Sequence, residues 1–364
     1  MGYGLFGTKK MVKPIYVCNY GNQLTRGIYA FHIDVESGEL IKKKYNRSQT
    51  NPEAISKRDR FMYVCYKNMT GAKTDGGLWQ YANMDLQFGL AAKVYYQGKT
   101  YVDSFVNQDR SYAYAVDYYN GEVVVIPILD QKIVKVRDVI KHEGHGLDPK
   151  RQTEAHPCFI EETPDHQYIY VCDLGTDEVV FYDVAEKGML VRNEEKTIHV
   201  EPGSGPKKMI FSPNGKFAYL LNELSSTVSA YTYENGQLTY LHTLDTFPKD
   251  EYIGENLVGD IVITPRGDFV FVSNRGHDSV SVFEVDQETG KLTYREYIDT
   301  DENPRSMVIV EDQWLVVAAQ KSGTIESFEI KRDISRGVLY ETHYSYLVGE
   351  PVALIVGRDK VEKR

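Results

Sequence analysis

The chain has 364 residues, of which 42% are hydrophobic, 26% charged and 12% aromatic, a balance that excludes a disordered polymer or a coiled coil and permits a large core. Lysine plus arginine number 42 against 52 for aspartate plus glutamate, so the formal charge is −10 and nucleic acid is not an expected partner. No apolar run is long enough for a bilayer, and the opening MGYGLFGTKK lacks a signal-peptide pattern, so the expectation is a cytoplasmic protein with no membrane partner.

After an N-terminal extension of residues 1–13, short apolar runs with a central aromatic residue or its substitute recur along the chain. They are IYVCNY from Ile15, MYVCYK from Met62, AYAVDY from Ala113, IYVCDL from Ile169, AYLLNE from Ala218, VFVSNR from Val270 and LVVAAQ from Leu315. The central residues run from Tyr16 to Val316, six intervals over 300 positions, so the mean period is 50, that of a propeller blade. Most runs are followed by an alternating strand, seen as GIYAFHID, EVVVIPI, EVVFYDV, TVSAYTY, SVSVFEV and TIESFEI. A more polar strand opening on glycine comes next, as in GELIKKK, GMLVRNE, GQLTYLH, GKLTYRE and GVLYETH. A further short strand precedes most runs, clearest in KKMIFSPNGK and DIVITPRGD.

Four antiparallel strands per unit and seven units predict an all-β, seven-bladed propeller occupying residues 1–364 as one domain. The first run has no preceding strand, whereas the chain ends on an orphan copy, EPVALIVG at 350–357, which is expected to complete blade 1 and close the ring. Cys18, Cys65 and Cys172 each fall two residues after the central tyrosine of a run, so they are expected to be buried packing thiols. With Cys158 they form no CxxC pair, and neither a disulfide framework nor a zinc site is expected.

In each blade the start of the innermost strand should lie beside the end of the next, gathering polar residues around one mouth of the central channel. The hairpin about Asn214 and Gly215 is expected to bring Lys207 opposite Asn222 and beside Glu223. Strand ends would add Tyr118, Asn274, Arg275 and Gln320, and strand starts His156 and Arg305. Asn19, Asp117, Asp173 and Asn222 suit backbone-satisfying positions, whereas Glu223 and Arg275 would aim opposite charges into one cavity.

The stretch GSGPKKMIFSPNGKFAYLLNELSSTVSAY resembles a block of the seven-bladed lactonase family, which includes propeller-type 6-phosphogluconolactonases and fungal muconate lactonizing enzymes. HEGHGLDPKRQTEAHP, ITPRGDFVFVSNRGHDSVSVF and NPRSMVIV agree with that family in the same order. The resemblance implies a site at His156, Lys207, Glu223 and Arg275, with lysine at 207 in place of an arginine fork, Lys208 in place of a histidine, and Cys158 where the family often has another histidine. It implies hydrolysis of a sugar δ-lactone, an anionic small molecule, without metal or cofactor. Glu223 would act as base, Arg275 and Lys207 would polarise the carbonyl, and His156 would protonate the leaving oxygen. A phosphorylated lactone would call on Arg305, Lys208 and His277, with Asn222, Asn274, Gln320 and Tyr118 as further substrate contacts and Arg151 the weakest candidate. Muconate lactonization and a non-catalytic scaffold are the alternative readings.

Overall fold

The computed structural model describes residues 11–21, 24–48, 50–70, 73–84, 87–333 and 335–357. It is a ring of seven antiparallel sheets, the seven-bladed β-propeller expected from the period. The one helical element among the described residues is a 3₁₀ turn at Glu186–Gly188. The innermost strands are Asn51–Arg58, Tyr101–Val106, Pro157–Glu162, Pro206–Phe211, Leu257–Ile263, Pro304–Val310 and Glu350–Val356. Each touches the innermost strand of the next blade, all the way round.

Closure is made by the two ends of the chain. Glu350–Val356 pairs antiparallel with Val12–Tyr20, and a further backbone bond runs from Gly357 N–H to Pro14 O at 2.7 Å. Val12 and Lys13, expected in the extension, belong to this strand, and the rest of the extension up to residue 10 lies outside the described residues. A paired N-terminal strand has no open edge on its inner side, so blade 1 cannot be lost without exposing two neighbours.

Seven apolar clusters form the core, one between each pair of adjacent blades. The recurring aromatic position fills them: Tyr16, Tyr63, Tyr114, Tyr170, Tyr219 and Phe271 are all buried, with Val316 in the last blade. Cys18, Cys65 and Cys172 occupy the predicted shared position as free, buried thiols, and burial pushes each thiol up in pKa.

Blades 2 and 3 depart from the pattern that the sequence displays elsewhere. In blade 2 the outer strands are Lys73–Met84 and Gln87–Gln97, glycine-containing and weakly alternating, so no clear strand signal marks them. Gln80 there is buried; its side chain donates to Gln131 O at 2.7 Å and accepts from Ile133 N–H at 3.0 Å, fastening blade 2 to blade 3. The outer edge of blade 3 is broken into Lys132–Ile133 and Asp138–Lys141, followed by the long connection that carries Arg151.

Candidate active site

A β-bulge at the mouth end of the innermost strand recurs in every blade. The pairing with the second strand slips between Pro52 and Ala54, Tyr101 and Asp103, Pro157 and Phe159, Pro206 and Lys208, Val258 and Ile261, and Pro304 and Ser306. In blade 1 the slip falls on the closing strand, at Val352. A bulged residue is unpaired and can be re-aimed. Here Glu53, Val102, Cys158, Lys207, Gly259, Arg305 and Val352 all turn into a cavity of about 960 Å³ at the mouth of the channel.

The bulge corrects the expected register. Pro206, not Lys207, pairs with Asn222, and Lys207 is the extra residue. Because side chains alternate along a strand, Asn222 and Asn274 face away from the cavity while the next residues, Glu223 and Arg275, enter it. Asn222 donates to Thr227 and Ser229, each at 3.0 Å, and Asn274 donates to Thr246 O and Ser281 at 3.0 Å, so both tie strands together and neither lines the cavity. His277 is likewise removed from the site: its ring packs among Phe247, Tyr252 and Tyr297, and Nδ1 bonds the Ser279 hydroxyl at 2.7 Å.

Glu223 is the centre of the cationic wall. Its Oε2 accepts from Lys207 Nζ at 2.6 Å, and its Oε1 lies 2.9 Å from Arg151 Nη2 and 3.2 Å from Arg275 Nη2. The carbonyl of Val258 holds two of these cations in place, accepting from Lys207 Nζ at 3.2 Å and Arg275 Nη2 at 3.0 Å. Arg151, the weakest sequence candidate, reaches the site from a loop pinned by buried Gln152, which donates to Leu174 O at 2.8 Å. The chain supplies that loop through Asp148, whose carboxylate accepts from the backbone N–H groups of Lys150 and Arg151.

These contacts set the proton affinities. Burial alone would raise the Glu223 carboxyl, but Lys207, Arg275 and Arg151 outweigh it and hold the group far below the ordinary carboxylate range. Burial and the neighbouring Arg275 push the Lys207 ammonium down to about 8, with Glu223 opposing them. A carboxylate held ionised by three cations is a weaker base than a free one, so these contacts suit an orienting role beside the expected proton-abstracting one.

His156 stacks flat on Tyr118, ring centroids 4.3 Å apart, and its Nδ1–H donates to Tyr118 O at 2.9 Å. It stands off the cavity wall, whereas Tyr118 is part of that wall and bonds Arg151. Cys158 does line the cavity, with burial pushing its thiol up. Lys208 sits deeper and is spent on Asp260 at 2.6 Å. Nearby Asp103 is pushed up to about 7 by burial. Arg305 lines the cavity, and Gln320, expected to touch substrate, instead accepts from Arg305 Nη1 at 2.9 Å.

The model of the lactonase family of seven-bladed β-propellers matches residues 14–356. The chain is 32% identical over 337 residues to the protein YwcC of Lactococcus lactis, covering 90% of this chain and 95% of that one. It is 30% identical over 331 residues to a Bacillus subtilis protein named 6-phosphogluconolactonase, covering 88% of this chain and 92% of that one. Among solved structures, the periplasmic gluconolactonase PpgL of Pseudomonas aeruginosa superposes with a TM-score of 0.87 at 26% identity, covering 96% of this chain and 99% of that one. The blade period, the closing strand, the bulge-lined cavity and these matches agree, and the chain belongs to the seven-bladed β-propeller lactonase family.

Proposed function

We propose that the protein hydrolyses an aldonic acid δ-lactone, with 6-phospho-D-glucono-1,5-lactone the preferred substrate. The observation that carries the reading is the convergence of Lys207, Arg151 and Arg275 on Glu223 at the wall of an open cavity. The names borne by the Bacillus subtilis and Pseudomonas aeruginosa relatives support a lactone as the reacting group.

Arg151 and Arg275 present guanidinium N–H donors to the lactone carbonyl oxygen and stabilise the negative charge that develops on it. Glu223 fixes the orientation of both. Lys207, in its neutral fraction, takes a proton from water while the water oxygen bonds to the carbonyl carbon. The tetrahedral intermediate then breaks its bond to the ring oxygen, and the new Lys207 ammonium returns the proton to that oxygen. The product is the open-chain hydroxy acid, and Lys207 is regenerated. His156 acts as a positioning residue through Tyr118.

A phosphorylated sugar does not cross membranes unaided, so this reading places the protein in the cytoplasm, in keeping with four free thiols. The test is lactone disappearance with 6-phosphoglucono-1,5-lactone and glucono-1,5-lactone in parallel, corrected for spontaneous opening. Enzyme-dependent loss of the phosphorylated lactone is expected. Rates equal to the uncatalysed ones for both would defeat the reading.

A further inference from the structure

A second ion cluster lies on the same cavity, on blades 2 and 7. Glu53 is its anchor and is buried, at 8% exposure. One of its oxygens pairs with the ammonium of Lys67 and the other accepts from Arg305 Nη2 at 2.6 Å. Both cations sit over the ring of buried Tyr20, Lys67 Nζ at 4.6 Å and the Arg305 guanidinium carbon at 5.5 Å from its centroid. Gln320 holds the remaining arm of Arg305. All three charged residues line the cavity.

The arrangement repeats the logic of the Glu223 wall with different residues. One carboxylate orients more than one cation, leaving an excess of positive charge facing the cavity. Desolvating Lys67 and Glu53 together is costly, and a neutral pair of apolar side chains would pack there at least as well. The excess is local, since the chain as a whole carries −10. A guanidinium and an ammonium side by side match a tetrahedral phosphomonoester: Glu53 and Gln320 each take one N–H of Arg305, and its other N–H groups and the Lys67 ammonium can donate to the phosphate oxygens. Both clusters line one cavity, as the two ends of a phosphorylated lactone require.

We propose that Lys67 and Arg305, oriented by Glu53 and seated on Tyr20, form a phosphomonoester subsite that holds the terminal phosphate of a sugar lactone whose ring lies against the Glu223 wall. The proposal rests on the lactonase reading for the ring, but the subsite is testable by binding alone. Of the three cations that the sequence offers for a phosphate, it retains Arg305, sets aside Lys208 and His277, and adds Lys67.

The experiment is calorimetric binding of 6-phosphogluconate and gluconate to the full chain and to Lys67→Met, Arg305→Gln and the charge-retaining Lys67→Arg, each checked for an unaltered circular dichroism spectrum. The parent should bind the phosphorylated acid at least tenfold more tightly, Lys67→Met and Arg305→Gln should lose most of that ratio, and Lys67→Arg should keep most of it. A parent without preference, or a ratio that survives both neutral substitutions, would overturn the subsite. If the ratio behaves as expected while neither lactone is turned over, the subsite stands and the hydrolase reading falls.

Discussion

Lys207 donates to Glu223 across 2.6 Å, yet the two residues respond to the contact in unequal ways. The carboxylate has three cations and is held firmly ionised, while the ammonium has one carboxylate against burial and Arg275, and its pKa falls to about 8. Of the pair, the lysine is the member that can exchange a proton near neutral pH. In the proposed mechanism the side chain aimed by a β-bulge is the proton carrier, and its partner is the fixed charge that keeps it in place.

Lys207→Arg tests that division. Arginine preserves the charge and can still bond Glu223, but it does not lose its proton in a protein. Steady-state turnover, with spontaneous hydrolysis subtracted, should fall by roughly 10²- to 10⁴-fold while the melting temperature changes little. Retained turnover would make Lys207 a clamp, the role implied by the arginine of the lactonase family at this position.

The Glu223→Gln variant should move the pH profile. In the parent, activity should rise as pH increases toward about 8, because the neutral Lys207 fraction grows. Glu223 raises the lysine pKa, so removing its charge should shift that rising limb to lower pH and reduce the maximal rate. The variant should also be less stable by about 1–3 kcal/mol at neutral pH, as three cations lose their counter-charge at a site partly open to water. The parent's carboxyl is depressed in the folded state. Its stabilising contribution is thus present above the unfolded carboxylate pKa and lost as pH falls toward the folded value. Complete loss of activity at every pH would instead return the base role to Glu223.

The ring was legible because its signal is periodic. Tyr16, Tyr63, Tyr114, Tyr170, Tyr219 and Phe271 each fill an inter-blade cluster, and that requirement repeats about every 50 residues. The terminal EPVALIVG was legible for the same reason, as a unit missing from one end and present at the other. The site was legible only in part, because a bulge leaves no mark on apolar alternation. One extra residue shifts which side chains face inward, so Asn222 and Asn274 were expected in the cavity beside Glu223 and Arg275, and only the latter two line it. Lys67 and Glu53 were missed because a buried ion pair in blade 2 looks, in sequence, like surface charge. Pro52, Pro157, Pro206 and Pro304 stand immediately before bulged residues, and that recurrence was the available clue.

Deleting residues 350–364 should cost more than ~3 kcal/mol, since the buried side chains of Val352 and Leu354 are each worth roughly 1.5–3 kcal/mol. Denaturant midpoints report the loss, and the truncated chain should also associate, as the inner edge of Val12–Tyr20 becomes free to pair. A truncated chain with the parent's midpoint would show that closure contributes nothing.

Gly259 joins the two cationic walls, which makes Gly259→Ala the most informative small change. It occupies the bulge of blade 6, and a Cβ there would stand 2.2 Å from Pro304 O and 2.5 Å from Ser273 Oγ. Backbone must give way on one side or the other. On one side is Val258, whose carbonyl holds Lys207 and Arg275; on the other is Arg305, next to Pro304. Overpacking of this kind costs about 1–3 kcal/mol, and displacement of a catalytic wall costs rate as well. The expected result is a modest fall in melting temperature with a much larger fall in kcat/KM, on the order of 10²-fold, because a shift that barely weakens seven packed interfaces is enough to misplace an ammonium that, in the proposed mechanism, reaches both water and a ring oxygen. Equal, small losses in both quantities would show that the mouth tolerates the displacement, and that the position of Lys207 is set from within blade 5 alone.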